Sequence, residues 1–173
     1  MGVYSSMRSD ADILREITGL KSVVIVSCSS CANTSVAYDK DLPVNRIITN
    51  KETGRVQTVP VAIVEEAKRL KTLFENNGIT TTCEIFSAPC VISDDVVVDQ
   101  AELLKHCNEA DAVVTLFCPS GIMGLMKLIR KETKIVPGMK TQGLWQRYTY
   151  TDAATGLMYI DRARFAIIRN MNR

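Results

Sequence analysis

The feature that most limits the fold of this chain is a short apolar run that ends in a pair of cysteines. The run covers residues 23–27 (Val-Val-Ile-Val-Ser), and Cys28 and Cys31 follow it as a C-x-x-C pair. Its length and its β-branched content are typical of a strand that is buried on both faces of a sheet. Two later segments also predict a strand with a cysteine at or just beyond its carboxyl end. They are residues 84–90, which end in Cys90, and residues 112–118, which end in Cys118.

Amphipathic segments separate these strands and predict helices between them. Such alternation favours an α/β fold with right-handed crossovers, because each helix returns the chain to the same edge of the sheet. We therefore expect a three-layer, flavodoxin- or Rossmann-like arrangement around a parallel sheet of about four strands. In chain order of the strands, the expected spatial order is 2-1-3-4. The predicted strands are 23–27, 79–86, 112–117 and 134–137, and the predicted helices are 9–20, 61–77, 97–109 and 121–131.

Two segments depart from this alternation. Residues 36–60 are polar and rich in turn formers, and the runs that flank residues 50–54 (Asn-Lys-Glu-Thr-Gly) predict a β-hairpin inserted into the fold. From residue 138 to residue 173 the pattern weakens, and we expect a C-terminal tail that wraps the domain and includes a helix over 160–170. The length of 173 residues is that of a single domain, residues 1–173.

Composition and charge exclude several classes of protein. The net charge is +2, and the Lys and Arg residues are scattered, which gives no electrostatic basis for binding nucleic acid. No apolar run approaches the roughly 20 residues that span a bilayer, and residues 1–12 lack the apolar region of a signal peptide. We therefore expect a cytoplasmic protein. Six cysteines in that compartment favour metal or redox chemistry over a disulfide framework.

The four strand-end cysteines predict a metal centre. If the strands are parallel, Cys28, Cys31, Cys90 and Cys118 meet at one edge, where four thiolates suit either a [4Fe–4S] cluster or tetrahedral Zn²⁺. A helix that begins near Ser120 would direct backbone N–H groups and a partial positive charge at the sulfurs. Such donors to sulfur also adjust the potential of a cluster.

Alternatives remain for each of these residues. Cys28 and Cys31 could form a redox dithiol, although the segment after Cys31 predicts a poor helix and such pairs normally open one. Cys83 and Cys107 fit the small, buried filler that cysteine often is. The single histidine, His106, is interpreted as a solvated residue of a helix.

The cysteine pattern resembles that of the methylenetetrahydrofolate reductase C-terminal-domain family. This family includes the small iron–sulfur subunit of two-subunit bacterial reductases. The resemblance covers about residues 20–150, apart from the long insertion. It is carried by Ser27-Cys28-Ser29-Ser30-Cys31-Ala32, Ser87-Ala88-Pro89-Cys90, Phe117-Cys118 and the segment 136–141 with Leu144.

Two departures limit what the resemblance implies. Ser35 stands near the place where the family commonly has a third cysteine, and residues 155–159 contain none of the cysteines of the family's second cysteine-rich segment. A single centre is therefore expected, with the role of an accessory or electron-transfer protein of one-carbon metabolism rather than a catalytic subunit. Its partner would be a flavoprotein reductase subunit or another redox protein, with a homo-oligomer as a further option. A zinc-binding interaction module is the alternative function, and a thiol-dependent oxidoreductase using Cys28 and Cys31 is the second alternative.

Overall fold

The computed structural model describes residues 1–87, 89–90 and 100–169. Eleven strands and five α-helices lie in these ranges, together with a short 3-10 helix at Arg162–Arg164. In chain order they are β1 (Gly2–Met7), α1 (Asp10–Ile17), β2 (Ser22–Cys28), α2 (Cys31–Lys40), β3 (Asn45–Thr49), β4 (Val56–Pro60), α3 (Ala62–Asn76), β5 (Thr80–Phe86), α4 (Ala101–Glu109), β6 (Ala112–Leu116), α5 (Pro119–Met126), β7 (Lys134–Pro137), β8 (Met139–Gln146), β9 (Thr149–Thr151), β10 (Leu157–Ile160) and β11 (Ala166–Arg169).

A parallel sheet of four strands forms the centre of the fold. Its spatial order is β5-β2-β6-β7, which confirms the predicted order 2-1-3-4. The two central strands, β2 and β6, are buried along almost their whole length, as their continuous apolar runs require in a sheet with both faces covered. Helix α3 packs against β2 and the edge strand β5, and α1 contacts β7, the strand at the opposite edge of the sheet.

Helices lie at the four positions predicted between the strands, with shifts at their ends; α5, predicted over 121–131, covers Pro119–Met126. Helix α1 begins after Ser9, whose hydroxyl accepts the backbone N–H of Asp12 at 3.2 Å as an N-cap. Helix α3 matches the prediction closely, and within it the charged residue Glu66 is only 2% exposed. Its carboxylate is paired with Lys40 and Arg69, and these pairs explain why burial is tolerated. For the helix predicted over 97–109, the part before residue 100 lies outside the described residues.

The segment after the C-x-x-C pair corrects the sequence analysis, which expected a poor helix there. Residues 31–40 form α2, and Asn33, Thr34 and Ser35 are fully buried in it. Their polar groups find partners across the fold. The Asn33 amide donates to the Val44 carbonyl at 2.7 Å and accepts from the Ile63 N–H at 2.9 Å. These tertiary hydrogen bonds stabilise a helix that local propensity does not favour.

The C-terminal segment is also different from the predicted wrapping tail. Strand β8 lies antiparallel between β1 and β11 in a second sheet, in the order β1-β8-β11. The helix predicted over 160–170 is therefore wrong, because this stretch contains the end of β10, the short 3-10 helix and β11. Strand β1 joins this sheet from the other end of the chain.

The predicted hairpin is confirmed, but it is not an isolated insertion. Strands β3 and β4 pair in antiparallel register around the turn at 50–54, where Gly54 has a φ of +66°. Strands β10 and β9 from the C-terminal segment extend this hairpin into a third sheet, β4-β3-β10-β9. The segment predicted as an insertion, residues 36–60, overlaps α2, because residues 36–40 belong to that helix. The fold is thus α/β with one parallel and two antiparallel sheets, rather than three layers around a parallel sheet alone.

Candidate thiol site

Three of the four predicted cysteines lie at the carboxyl ends of the two central strands. Cys28 is the last residue of β2, and Cys31 is the first residue of α2. Cys118 follows β6 by two residues and caps α5, which has Pro119 at its first position. Because β2 and β6 are hydrogen-bonded neighbours, with Ser27 opposite Leu116, the two strand-to-helix turns lie side by side.

Cys28 is the most deeply placed of these thiols. Its residue is 5% exposed, and burial raises the pKa of its thiol to about 11. The backbone N–H of Ser30 donates to the sulfur at 3.4 Å and, with the N–H of Ala32, acts against this rise. Cys31 and Cys118 raise the same pKa further through their charges, so each of them lies within electrostatic reach of Cys28.

Cys31 is half-buried, and a cation lies close to it. Arg147 extends from the turn between β8 and β9 to the first turn of α2, where its Nη1 donates to the Thr34 hydroxyl. Its guanidinium lies over the ring of Trp145, 5.2 Å from the ring centre. Burial lowers the pKa of Arg147, and the negative charge of Cys31 acts in the opposite direction. The sequence offered no signal for this residue, because only the fold brings it to the cysteines.

Cys90 is exposed, and its position relative to the others is set by its neighbour Pro89. Pro89 is buried against the first turn of α5. A Cβ atom added at Gly121 would lie 3.0 Å from the Pro89 side chain and 3.2 Å from Cβ of Phe117. A side chain at this position would require Pro89 or Phe117 to move by a few tenths of an ångström. The segment that carries Cys90 therefore packs at the same end of α5 as Cys118.

The arrangement does not form a complete metal site within the described ranges. Among residues 1–87, 89–90 and 100–169, no group of three or more His, Cys, Asp or Glu side chains is placed to hold a metal ion. The four-cysteine centre therefore stays a prediction. The donors nevertheless suit such a centre in kind, since cysteine sulfurs that receive backbone N–H groups are the ligands of iron–sulfur and zinc sites.

The other two cysteines and the histidine contact other parts of the fold: Cys83 lies against the Ala67 carbonyl, Cys107 lies in the hydrophobic core, and His106 contacts β5. Burial raises the pKa of Cys107 to about 12 and also raises that of Cys83, as expected of thiols held in a core. The sequence predicts that His106 is a solvated residue of the helix over 97–109. Its Nδ1 instead lies 2.8 Å from the Glu84 carboxylate on β5. This pair spans a helix and an edge strand that the sequence alone did not connect.

Comparisons with protein-family models, with curated proteins and with solved structures found no match to this chain. No helix in the described part of the chain is long and apolar enough to cross a membrane. Function is therefore inferred from the site itself.

Proposed function

We propose that this chain is a small cysteine-ligated metal protein, with a [4Fe–4S] cluster favoured over zinc. The ligands would be Cys28, Cys31, Cys90 and Cys118. The single observation that carries the proposal is that Cys28, Cys31 and Cys118 lie in the two neighbouring strand-to-helix turns that follow β2 and β6. Unconnected core cysteines have no physical reason to gather at one sheet edge.

The properties of Cys28 favour a ligand over a nucleophile. A buried thiol with a pKa of about 11 is almost entirely protonated at neutral pH, and only the thiolate attacks electrophiles. Metal binding changes this balance, because a metal displaces the thiol proton directly. The Ser30 and Ala32 N–H groups would then stabilise the charge on the bound sulfur. When bound, a cluster supplies one-electron transfer.

The wider role in this proposal comes from the resemblance to the methylenetetrahydrofolate reductase family. The protein would be an accessory or electron-transfer subunit in one-carbon metabolism, located in the cytoplasm, and it would depend on a separate flavoprotein reductase subunit or another redox protein for catalysis. The six cysteines are all free, which agrees with a reducing compartment.

The proposal is tested by anaerobic reconstitution followed by metal and sulfide analysis and absorption spectroscopy. Broad visible absorption with iron and sulfide in equal amounts supports the cluster. Replacement of Cys31 or Cys118 by Ser should abolish stable loading, whereas the matched control Cys83→Ser should not. The proposal is refuted if wild-type protein binds neither iron nor zinc. It is also refuted if the Cys31→Ser and Cys118→Ser variants load metal as well as the Cys83→Ser control does. A colourless protein that binds one zinc through the same cysteines would support the interaction module.

A thiol–disulfide role is the second candidate, and one specific observation favours it. The C-x-x-C pair does open a helix, since α2 begins at Cys31. In this role, oxidation of Cys28 and Cys31 by a small disulfide would join the two sulfurs, reduce the oxidant to two thiols and transfer both protons with the electrons. Titration of metal-free protein with glutathione buffers would reveal an internal disulfide that survives Cys118→Ser. If only mixed or random disulfides form, this second candidate is excluded.

A further inference from the structure

Arg147 lies half-buried without a carboxylate beside it among the described residues. Within the described residues, none of its nitrogens is within ion-pair distance of Asp or Glu. By contrast, Arg69 is paired with Asp10 and Glu66, and Arg162 is paired with Asp41. Burying a cation costs free energy unless an anion or dipole compensates.

The neighbours of Arg147 compensate only part of that cost. The Thr34 hydroxyl accepts one N–H, and the face of Trp145 interacts with the cation. The Trp145 ring is itself held in place, since its N–H donates to the Val3 carbonyl at 3.0 Å. A guanidinium has five N–H donors, and among the described residues only the Thr34 hydroxyl accepts from one of them.

Thr34 and Cys31 lie three positions apart on α2, and residues at this spacing share one face of a helix. The guanidinium that contacts Thr34 is therefore on the face that carries Cys31, at the positive end of the helix dipole. We propose that Arg147, with the first turn of α2, forms an anion-binding subsite beside Cys31 that receives a small carboxylate-bearing molecule. A planar guanidinium matches a carboxylate in geometry as well as in charge.

The subsite makes Cys31, rather than the buried Cys28 or Cys118, the thiol beside which an anionic molecule would bind. Cys31 is partly exposed, whereas Cys28 and Cys118 are 5% and 7% exposed. This inference uses Cys31 as a member of the proposed thiol site, but it does not depend on metal. It can therefore fail or succeed independently of the cluster.

The test compares two alkylating reagents on reduced, metal-free protein at one neutral pH. With iodoacetate and with iodoacetamide, the Cys31 sulfur forms a bond to the reagent CH₂ group, the C–I bond breaks and iodide leaves. The two reagents differ mainly in charge. The ratio of their rates at Cys31, measured by peptide mass spectrometry and divided by the ratio for free N-acetylcysteine, therefore reports local positive charge.

Arg147→Gln should lower this ratio about threefold to tenfold, as expected for the loss of one nearby unit charge. Arg147→Lys should keep most of it, and Arg162→Gln, which removes a cation paired elsewhere, should leave it unchanged. An unchanged ratio in a folded Arg147→Gln protein would overturn the inference. Should that variant fail to fold, the salt dependence of the wild-type ratio decides, because screening must bring it towards the free-thiol value. A ratio that does not respond to salt would overturn the inference as well.

Discussion

Glu66 offers the sharpest test of how the helices that carry the site are held together. Its carboxylate, on α3, is 2% exposed and is shared between Lys40 at the end of α2 and Arg69 one turn along α3. Arg69 also binds Asp10 on α1 through two contacts of 2.7 and 2.8 Å. One buried side chain thus connects α2 and α3 directly and α1 indirectly. We predict that Glu66→Gln, which keeps the size of the side chain, destabilises the protein markedly.

The magnitude follows from the exposure of the partners. Removing one member of a fully buried ion pair costs about 3–5 kcal/mol, because the remaining charge is stranded. Here the Lys40 and Arg69 side chains are 35% and 41% exposed, so water solvates part of what is left. Glutamine also keeps one acceptor oxygen. We therefore expect a loss of about 2 kcal/mol, which lowers Tm by roughly 4–8 °C in a domain of this size.

The matched control is Glu65→Gln, one position away on the same helix. Glu65 is exposed and pairs with Lys68 at 3.3 Å across solvent, so its loss should cost less than about 0.5 kcal/mol. Urea unfolding of both variants can be followed by fluorescence of Trp145, the only tryptophan of the chain. If Glu66→Gln unfolds at the same urea concentration as Glu65→Gln, the buried carboxylate does not stabilise the helices and the reasoning fails.

Three further predictions concern the site and the second sheet. Gly121→Ala should reduce metal loading and lower the free energy of unfolding by about 1–2 kcal/mol, because the new Cβ would lie 3.0 Å from the Pro89 side chain. Metal analysis and unfolding curves check this, and normal loading would contradict it. The thiol of Cys28 has a pKa raised from 9.0 to about 11, so the folded state retains a proton that the unfolded state releases. Cys28 should therefore contribute about 2 kcal/mol to the fall in stability of the metal-free protein as pH rises from 9 to 11, in addition to the contributions of Cys107 and Cys83. Cys28→Ala should flatten that dependence in pH-dependent urea titrations, and an equal slope in both proteins would refute it. Gly2→Ala should destabilise the β1–β8 pairing by about 1–3 kcal/mol and alter Trp145 fluorescence, because the new Cβ would lie 2.4 Å from the indole ring; an unchanged spectrum and midpoint would contradict this.

The part of the site that could be predicted is the part that is set by strand ends. Cys28 and Cys118 end continuous apolar runs, and parallel connections of one hand bring such ends to one edge of a sheet. The sequence therefore predicted their common location. It could not predict that Cys31 opens a helix, because Asn33 and its polar neighbours favour turns locally and form α2 only with partners 11 to 30 residues away.

The sequence by itself determined the four strands of the central sheet and the start of α1 after its N-cap Ser9, because apolar periodicity and capping act over a few residues. The strand order followed from the preferred topology of such α/β sheets. Only the tertiary structure decided the burial of Glu66, the pairing of β1 with β8 and the approach of Arg147 to Cys31. Each of these joins groups whose individual preferences are polar or ambiguous. Such a contact contributes free energy only when the fold brings both partners together, so the local sequence around either partner does not predict it.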